Sequence, residues 1–597
     1  MSQLLFIREC NINSFERRTC SQFIFRILLI ILLLAYKCAN SQYYPDNYFR
    51  PPLDSALYLS APFGSLRENH FHSGMDIRTF EKQGLAVYAA ADGYISRIKI
   101  QSIGYGKAVY IDHPNGFRTV YGHLQQYAEP IGAYVKSVQY VNKKFEMDQF
   151  PEKSALPVKK GQLIGFSGNS GTSSGPHLHF EIRDIRNEEP LNPQLFGLPV
   201  MDTLSPKIKS IKVYTLDEQR PLEVLNREIT SSNIIAVDSG WRLTDTLFVS
   251  PGRVGLSVEA VDYLIDPGKE YSIYRLDLSL DGRRYFSFAL NRFSFDDTRY
   301  INAHIDYEIW KKEGTRFQKL FLDDGNRISL YPYLRNKGKL EINDSKIHYV
   351  RIDALDFQGK AFTLFCMLKS DPALSHISEV PICNREWLYP SRSNEIKMEN
   401  LKILIPAMAL YDTIPLCVEE LAQDKNALSA TFRVNDPYTP MHRSFSISIK
   451  PISGLNQSLN SKLLLAYSPK PSFTRPVNAE INEDGFVTGK ALEFGNFSVA
   501  MDTISPVIKI LSPEKDNIIS DSASLKIKIT DNFSGISSYK MTLDGKWVLS
   551  EFDAKNDLLE YYFDQNTPLS VVQLEITVCD RKNNCAILKR LVTFKPE

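Results

Sequence analysis

Between residues 59 and 198 one local pattern repeats: short runs of β-branched and aromatic residues alternate in polarity, and glycines separate them. Gly93-Tyr-Ile-Ser-Arg-Ile-Lys-Ile100, Lys107-Ala-Val-Tyr-Ile-Asp112, Arg118-Thr-Val-Tyr-Gly-His-Leu124 and His177-Leu-His-Phe-Glu-Ile182 all keep period two. That period is the pleat of a strand. Glycine supplies the positive φ angles that tight turns between such strands demand. Fifteen of the 30 glycines fall in this stretch. The pattern predicts a compact antiparallel β domain, preceded over 42–58 by an extended lead-in rich in Tyr, Pro and Asp.

At 597 residues, the chain has room for about four domains. The remainder reads as β modules over 200–375, 376–500 and 501–597. Two of them open on an internal repeat, Met201-Asp-Thr-Leu-Ser-Pro-Lys-Ile-Lys209 and Met501-Asp-Thr-Ile-Ser-Pro-Val-Ile-Lys509. A spacing of 300 residues is too long for a solenoid and suits duplicated Ig-like β-sandwich modules. Ile529-Thr-Asp-Asn-Phe-Ser-Gly535 and Asp353-Ala-Leu-Asp-Phe-Gln-Gly359 look like matching strand-to-turn segments. Their aspartates suit Asx turns, with calcium ligation the alternative. Nothing after residue 200 gathers acids, bases and nucleophiles, so these modules are expected to position the first β domain or bind envelope proteins.

The N-terminus carries Arg8, Arg17, Arg18 and Arg26, then the uncharged run 27–36 and Ala39-Asn40-Ser41. A basic region, a short apolar region and small residues at a cleavage site make a signal peptide over 1–41, too short in its apolar part to span a membrane. The protein is therefore expected outside the cytoplasm, in the periplasm or on the cell envelope. Cleavage would leave five cysteines, at 366, 383, 417, 579 and 585, so at least one lacks an intrachain partner. Cys579 and Cys585 flank a turn-like stretch and are placed to pair across a hairpin. Lys+Arg at 70 against Asp+Glu at 69 leaves a net charge of +1, which gives nucleic acid nothing to bind.

Six of the ten histidines (70, 72, 113, 123, 177 and 179) crowd into the first β domain. His72-Ser-Gly-Met-Asp76 sets an imidazole and a carboxylate four residues apart. His177-Leu-His179 sets two imidazoles on one face of a strand. A hydrolytic zinc site takes three protein ligands and keeps a fourth position for water. Two histidines and one carboxylate meet that need, and the remaining histidine of the pair would stand beside the metal, where a general base is required. Ser167-Gly-Asn-Ser-Gly-Thr-Ser-Ser-Gly-Pro176 is a small-residue loop that lets a substrate backbone approach closely.

Phe71-His-Ser-Gly-Met-Asp-Ile77, Val87-Tyr-Ala-Ala-Ala-Asp-Gly93, Gly106-Lys-Ala-Val-Tyr110, Tyr121-Gly-His-Leu124, Val158-Lys-Lys-Gly-Gln-Leu-Ile-Gly165, Gly168-Asn-Ser-Gly171 and Pro176-His-Leu-His-Phe-Glu181 occur in that order. The segment 59–198 thereby resembles the lysostaphin/LytM-type zinc metallopeptidases. The resemblance implies a LytM-type (duplicated hybrid motif) β-sandwich with a groove, followed here by the Ig-like modules. It implies one Zn2+ held by His72, Asp76 and His179, with His177 and His123 activating water and stabilising the transition state. It also implies an endopeptidase acting on the stem-peptide cross-links of peptidoglycan. The alternative is a non-catalytic regulator of other wall hydrolases; such members lack one or more ligands, whereas all five positions are filled here. Three features depart from the pattern. His70 forms a second His-x-His with His72 and could compete as a ligand, residues 66–71 lack the tyrosine some members use at the oxyanion, and 128–157 is a long insertion, expected either at the rim of the groove or as a loose surface loop. His113, in the turn Asp112-His-Pro-Asn-Gly116, reads as structural.

Overall fold

A computed structural model describes residues 44–595 except 217–223, 231, 375–385, 423–426, 471–472, 513–517, 521–523, 565 and 569. The signal segment 1–41 and Cys383 lie outside the described residues. No helix among those described is long and apolar enough to cross a membrane.

The chain is mainly β. Its first domain is built on strands β1 (Leu59–Ala61), β2 (Met75–Arg78), β3 (Gly93–Ile100), β4 (Lys107–Asp112), β5 (Phe117–Tyr127), β6 (Met147–Gln149), β7 (Leu163–Ser167) and β8 (His177–Asp184), with helix α1 (Ile131–Asn142) between β5 and β6. The order β1-β2-β8-β5-β4-β3 is antiparallel throughout, which places β2, β8 and β5 side by side. Along β8, Leu178, Phe180 and Ile182 face the core with no exposure, each such side chain contributing about 2–3 kcal/mol on burial. Strand alternation then commits His177, His179, Glu181 and Arg183 to the opposite face.

The lead-in does not hang free, since Phe49, Leu53 and Leu57 are buried in the same core. The 128–157 segment differs from the rim loop expected of it. Ile131, Val135, Phe145, Met147 and Leu156 bury into the domain, and β6 pairs with β3, three strands away from β8. Its outer side meets the last module, where Tyr140 donates to Asp564 and its ring packs on Trp547. Ile131 and Val135, spaced i, i+4, and Gln139 one turn further on are the buried positions of α1, a helical stripe with only two apolar members that its polar and aromatic neighbours obscure.

The next module begins with β9 (Lys207–Thr215) and contains β10 (Gly252–Asp262), β11 (His348–Leu355) and β12 (Ala361–Ser370); the last contains β13 (Val507–Ser512), β14 (Leu525–Thr530), β15 (Val571–Asp580) and β16 (Cys585–Lys595). Cys579 and Cys585 are opposite one another on β15 and β16 and form a disulfide. Cys366 is a buried free thiol. The turn after β11 corresponds to the turn after β15, not to 531–535 as the sequence similarity suggested: Asp356 N–H bonds the Lys360 carbonyl as Asp580 N–H bonds that of Asn584.

The first two cores interlock. Phe63, Leu66 and Phe71 belong to the core of the 200–375 module, while Leu264 and Tyr271 of that module enter the first core. Phe71 is 1% exposed, and its N–H bonds Thr298 Oγ1 at 2.8 Å. It directly precedes His72, so the second module fixes where that imidazole sits. Phe71→Ala should lower the unfolding free energy by about 3–5 kcal/mol, read as a lower urea midpoint. An unchanged midpoint would show that the two cores are not coupled through this ring.

Candidate active site

The register puts the chemistry together. On β2 and β8, Asp76 is paired with His179, and His72 precedes β2 by a short loop. Gly74 lets that loop touch β8: a Cβ there would meet the Phe180 carbonyl oxygen at 2.4 Å. His72 Nε2, His179 Nδ1 and Asp76 Oδ1 converge, with 3.1 Å between the two nitrogens and 3.0 and 2.8 Å from them to the carboxylate. All three residues are at least 96% buried.

Outer hydrogen bonds decide what these atoms present. His72 Nδ1 donates to the Pro62 carbonyl at 3.0 Å, which leaves a lone pair on Nε2. His179 Nε2 donates to Glu181 Oε1 at 2.7 Å, which leaves one on Nδ1. Two imidazole lone pairs and a carboxylate oxygen thus point into one buried space with no donor among them, and only a positive charge relieves that. Without a cation that charge is a proton on His179 Nδ1: burial alone would lower the pKa of His179, but its hydrogen bonds to Asp76 and Glu181 carry it up to about 9. Burial likewise works to raise that of Asp76, and the three histidines around it hold it well below the usual range. Two imidazoles and one carboxylate at these separations match a tetrahedral zinc set, whose ligands at about 2.0–2.2 Å lie about 3.3 Å apart. The residues present fit the metal that the resemblance implies.

Glu181 is the residue that sequence reasoning passed over. It is fully buried, a position costing several kcal/mol for an unpaired charge. Its carboxylate accepts from Ser73 Oγ and Tyr105 OH, both at 2.6 Å, from His179 and from the Arg183 guanidinium. Burial would raise its pKa, yet Arg183 and His179 hold it well below the normal range. Alternation along β8 already placed Glu181 and Arg183 on the face of His179. Tyr105 gave no such signal. It arrives from a separate turn and packs its ring on His179, centroids 5.0 Å apart.

The other two histidines flank the trio. His177 Nδ1 donates to the Gly175 carbonyl at 2.9 Å. Its Nε2 is buried, has no hydrogen-bond partner and stands 3.4 Å from Asp76 Oδ1. His123 reaches the site through a bulge. Gly122 is opposite His179, so plain alternation would send His123 into the core beside Tyr121. Instead φ at His123 is 58°, and the register shift there turns the ring towards His177, 4.7 Å between centroids. Its Nδ1 donates to the Ser170 carbonyl at 2.8 Å. Burial, reinforced by the charges of His179 and His177, lowers its pKa to about 3, which leaves the Nε2 lone pair available.

His70 is exposed and bonds the Glu68 carbonyl, outside the trio. His113 is a satisfied core residue, held by the Asp92 carbonyl and Thr119 Oγ1. The 167–176 loop forms one wall of the site. Gly171, at φ 72°, lies so close to Gly104 that a Cβ would meet its carbonyl at 2.4 Å. The last module reaches this wall. Lys555 donates to the carbonyls of Asn169 and Ser173, and Lys107 pairs with Glu551 at 2.8 Å.

Comparison with known proteins follows the same division. Residues 70–147 and 145–193 match the family model Peptidase family M23, and 385–502 match the Zu5-like domain. DD-carboxypeptidase/endopeptidase Mpg of Neisseria meningitidis serogroup B is 36% identical over 146 residues, 24% of this chain and 27% of that protein. An uncharacterized metalloprotease of Haemophilus influenzae is 32% identical over 178 residues, 28% and 32% of the two chains. Peptidoglycan DD-endopeptidase ShyA of Vibrio cholerae is 27% identical over 188 residues, 29% and 37% of the two chains. The aligned part thus spans only about a quarter to two fifths of each relative's length. Over residues 70–193 the chain is thus similar to the peptidases of family M23.

Proposed function

We infer that the protein is an exported zinc endopeptidase that hydrolyses the peptide cross-links of peptidoglycan. The observation that carries this reading is the convergence of the His72, Asp76 and His179 lone pairs, with two further imidazoles beside them, in a domain whose relatives are named for cutting peptidoglycan. His72, Asp76 and His179 would hold the metal. Bound there, zinc lowers the pKa of water and polarises the scissile carbonyl.

The remaining steps belong to side chains. His177, anchored through Nδ1 with Nε2 free, takes a proton from the attacking water and returns it to the leaving amine. His123, kept neutral by burial and held through Nδ1, presents its ring on the same side and helps orient the water and the tetrahedral oxygen. Glu181, through its bond to His179 Nε2, fixes the tautomer that frees Nδ1. The modules after residue 200 hold the catalytic domain in place and offer surfaces for envelope partners.

Zinc-loaded protein incubated with purified sacculi should release fragments whose masses correspond to hydrolysed cross-links. Intact cross-links after full zinc loading would exclude the peptidase reading and leave the regulator. His179→Ala should lose most bound zinc, by elemental analysis; full occupancy would displace it from the ligand set. His177→Ala should keep zinc yet lose about 10²–10⁴-fold in turnover, the ordinary contribution of general acid–base catalysis. Turnover like the parent's would assign the base elsewhere.

A further inference from the structure

The repeat that opens two modules also sets up two clusters of different charge. Val261 is paired with Lys207 and Thr530 with Val507, at the same offset from each repeat, so Asp262 and Asp531 occupy equivalent places. The hairpins after β11 and β15 begin with Leu355 opposite Ala361 and Cys579 opposite Cys585. Asp356 is therefore equivalent to Asp580, and Lys360 to Asn584. In the first module, Lys360 Nζ lies among the acids. It donates to Asp202 Oδ1 at 2.6 Å, Asp356 Oδ2 at 3.2 Å, and the carbonyls of Asp202 and Leu204 at 3.3 and 3.1 Å.

In the last module a neutral amide takes that place. Asn584 Nδ2 donates to Asp580 Oδ2 at 2.7 Å and to the Asp502 carbonyl at 3.0 Å. Asp502, Asp531 and Asp580 each bring a carboxylate oxygen within 4.8 Å of the others. Asp502 and Asp580 are 1% and 0% exposed. Their neighbour Lys582 directs its ammonium to the Ala479 carbonyl. The Asx turns expected from the sequence are present: Asp531 Oδ2 accepts from the Phe533 and Gly535 N–H groups, and Asp580 Oδ1 from those of Lys582 and Asn584. They leave over Asp531 Oδ1 and Ser534 Oγ, both buried and without a hydrogen-bond partner. Ser534 is 3% exposed and its N–H bonds Asp502 Oδ2, which seats the residue against the cluster.

We propose that Asp502, Asp531 and Asp580, with Ser534 Oγ beside them, bind a calcium ion where the 385–502 segment meets the last module, in place of the ammonium that Lys360 supplies in the first. The donors are all oxygen, which suits a hard cation rather than zinc, and calcium ligands at 2.3–2.6 Å lie up to about 5 Å apart. The ion would tie the chain entering the module to both loops at that end and so set the angle between the two modules.

The test uses the full chain carrying one equivalent of zinc and freed of calcium. Titration with CaCl2 in a calorimeter should show one further site, and Tm should rise by several degrees at saturation. Asp531→Asn and Asp580→Asn, close in shape to the parent, should bind calcium at least about tenfold more weakly, the loss of one charged ligand. Asn584→Lys keeps every carboxylate and installs the ammonium of the first module. It should bind no calcium and reach, without it, the Tm that the parent reaches only with it. No heat and no change in Tm up to millimolar CaCl2, undiminished affinity in Asp531→Asn, calcium binding that survives Asn584→Lys, or preference for MgCl2 would each overturn the proposal.

Discussion

Everything in the first domain is subordinate to three lone pairs that face one another in a buried space. His72 Nε2, His179 Nδ1 and Asp76 Oδ1 lie 2.8–3.1 Å apart, an arrangement that repels itself unless a proton or a cation sits among them. The surrounding bonds make it permanent. The Pro62 carbonyl orients one imidazole, Glu181 orients the other, and Arg183, Ser73 and Tyr105 make a buried Glu181 tolerable. Loss of Glu181 would free His179 to choose its tautomer and leave the buried Arg183 with only its longer bonds to Glu188 and Tyr105. The site is therefore a network whose outer members are as necessary as those that meet the cation.

That network is not confined to one domain. Phe71, adjacent to His72, packs in the core of the second module, while Lys555 of the last module holds carbonyls of the loop bearing Ser173. Ser173 Oγ in turn lies 3.2 Å from His177 Nδ1. The chain folds back so that elements nearly 400 residues apart meet at the groove wall. Modules outside the first domain thus bear on the geometry of its histidine cluster.

The features legible in the sequence were those written into local spacing. His-x-His on an alternating strand and His-x-x-x-Asp around a glycine both name side chains that share a face or a turn, and the register placed them as the spacing implied. Glu181 obeyed the same alternation, but a carboxylate in a strand has many ordinary uses and nothing local marked this one. His123 sat in a familiar motif, yet alternation alone would have buried it, because the bulge that redirects it depends on how β4, β5 and β7 meet. Tyr105, Pro62 and Lys555 come from tertiary packing and leave no trace in spacing. The packing of the 128–157 segment is not legible because its apolar stripe is short, and its contacts with Trp547 and Asp564 lie some 400 residues further along the chain.

X-ray absorption at the zinc edge of the loaded full chain tests the central claim most directly. The account predicts a first shell of two imidazoles and oxygen at about 2.0–2.2 Å, with one imidazole lost in His179→Ala and none lost in His177→Ala or His70→Ala. A shell with three imidazoles, or one that loses an imidazole when His177 or His70 is replaced, would contradict it.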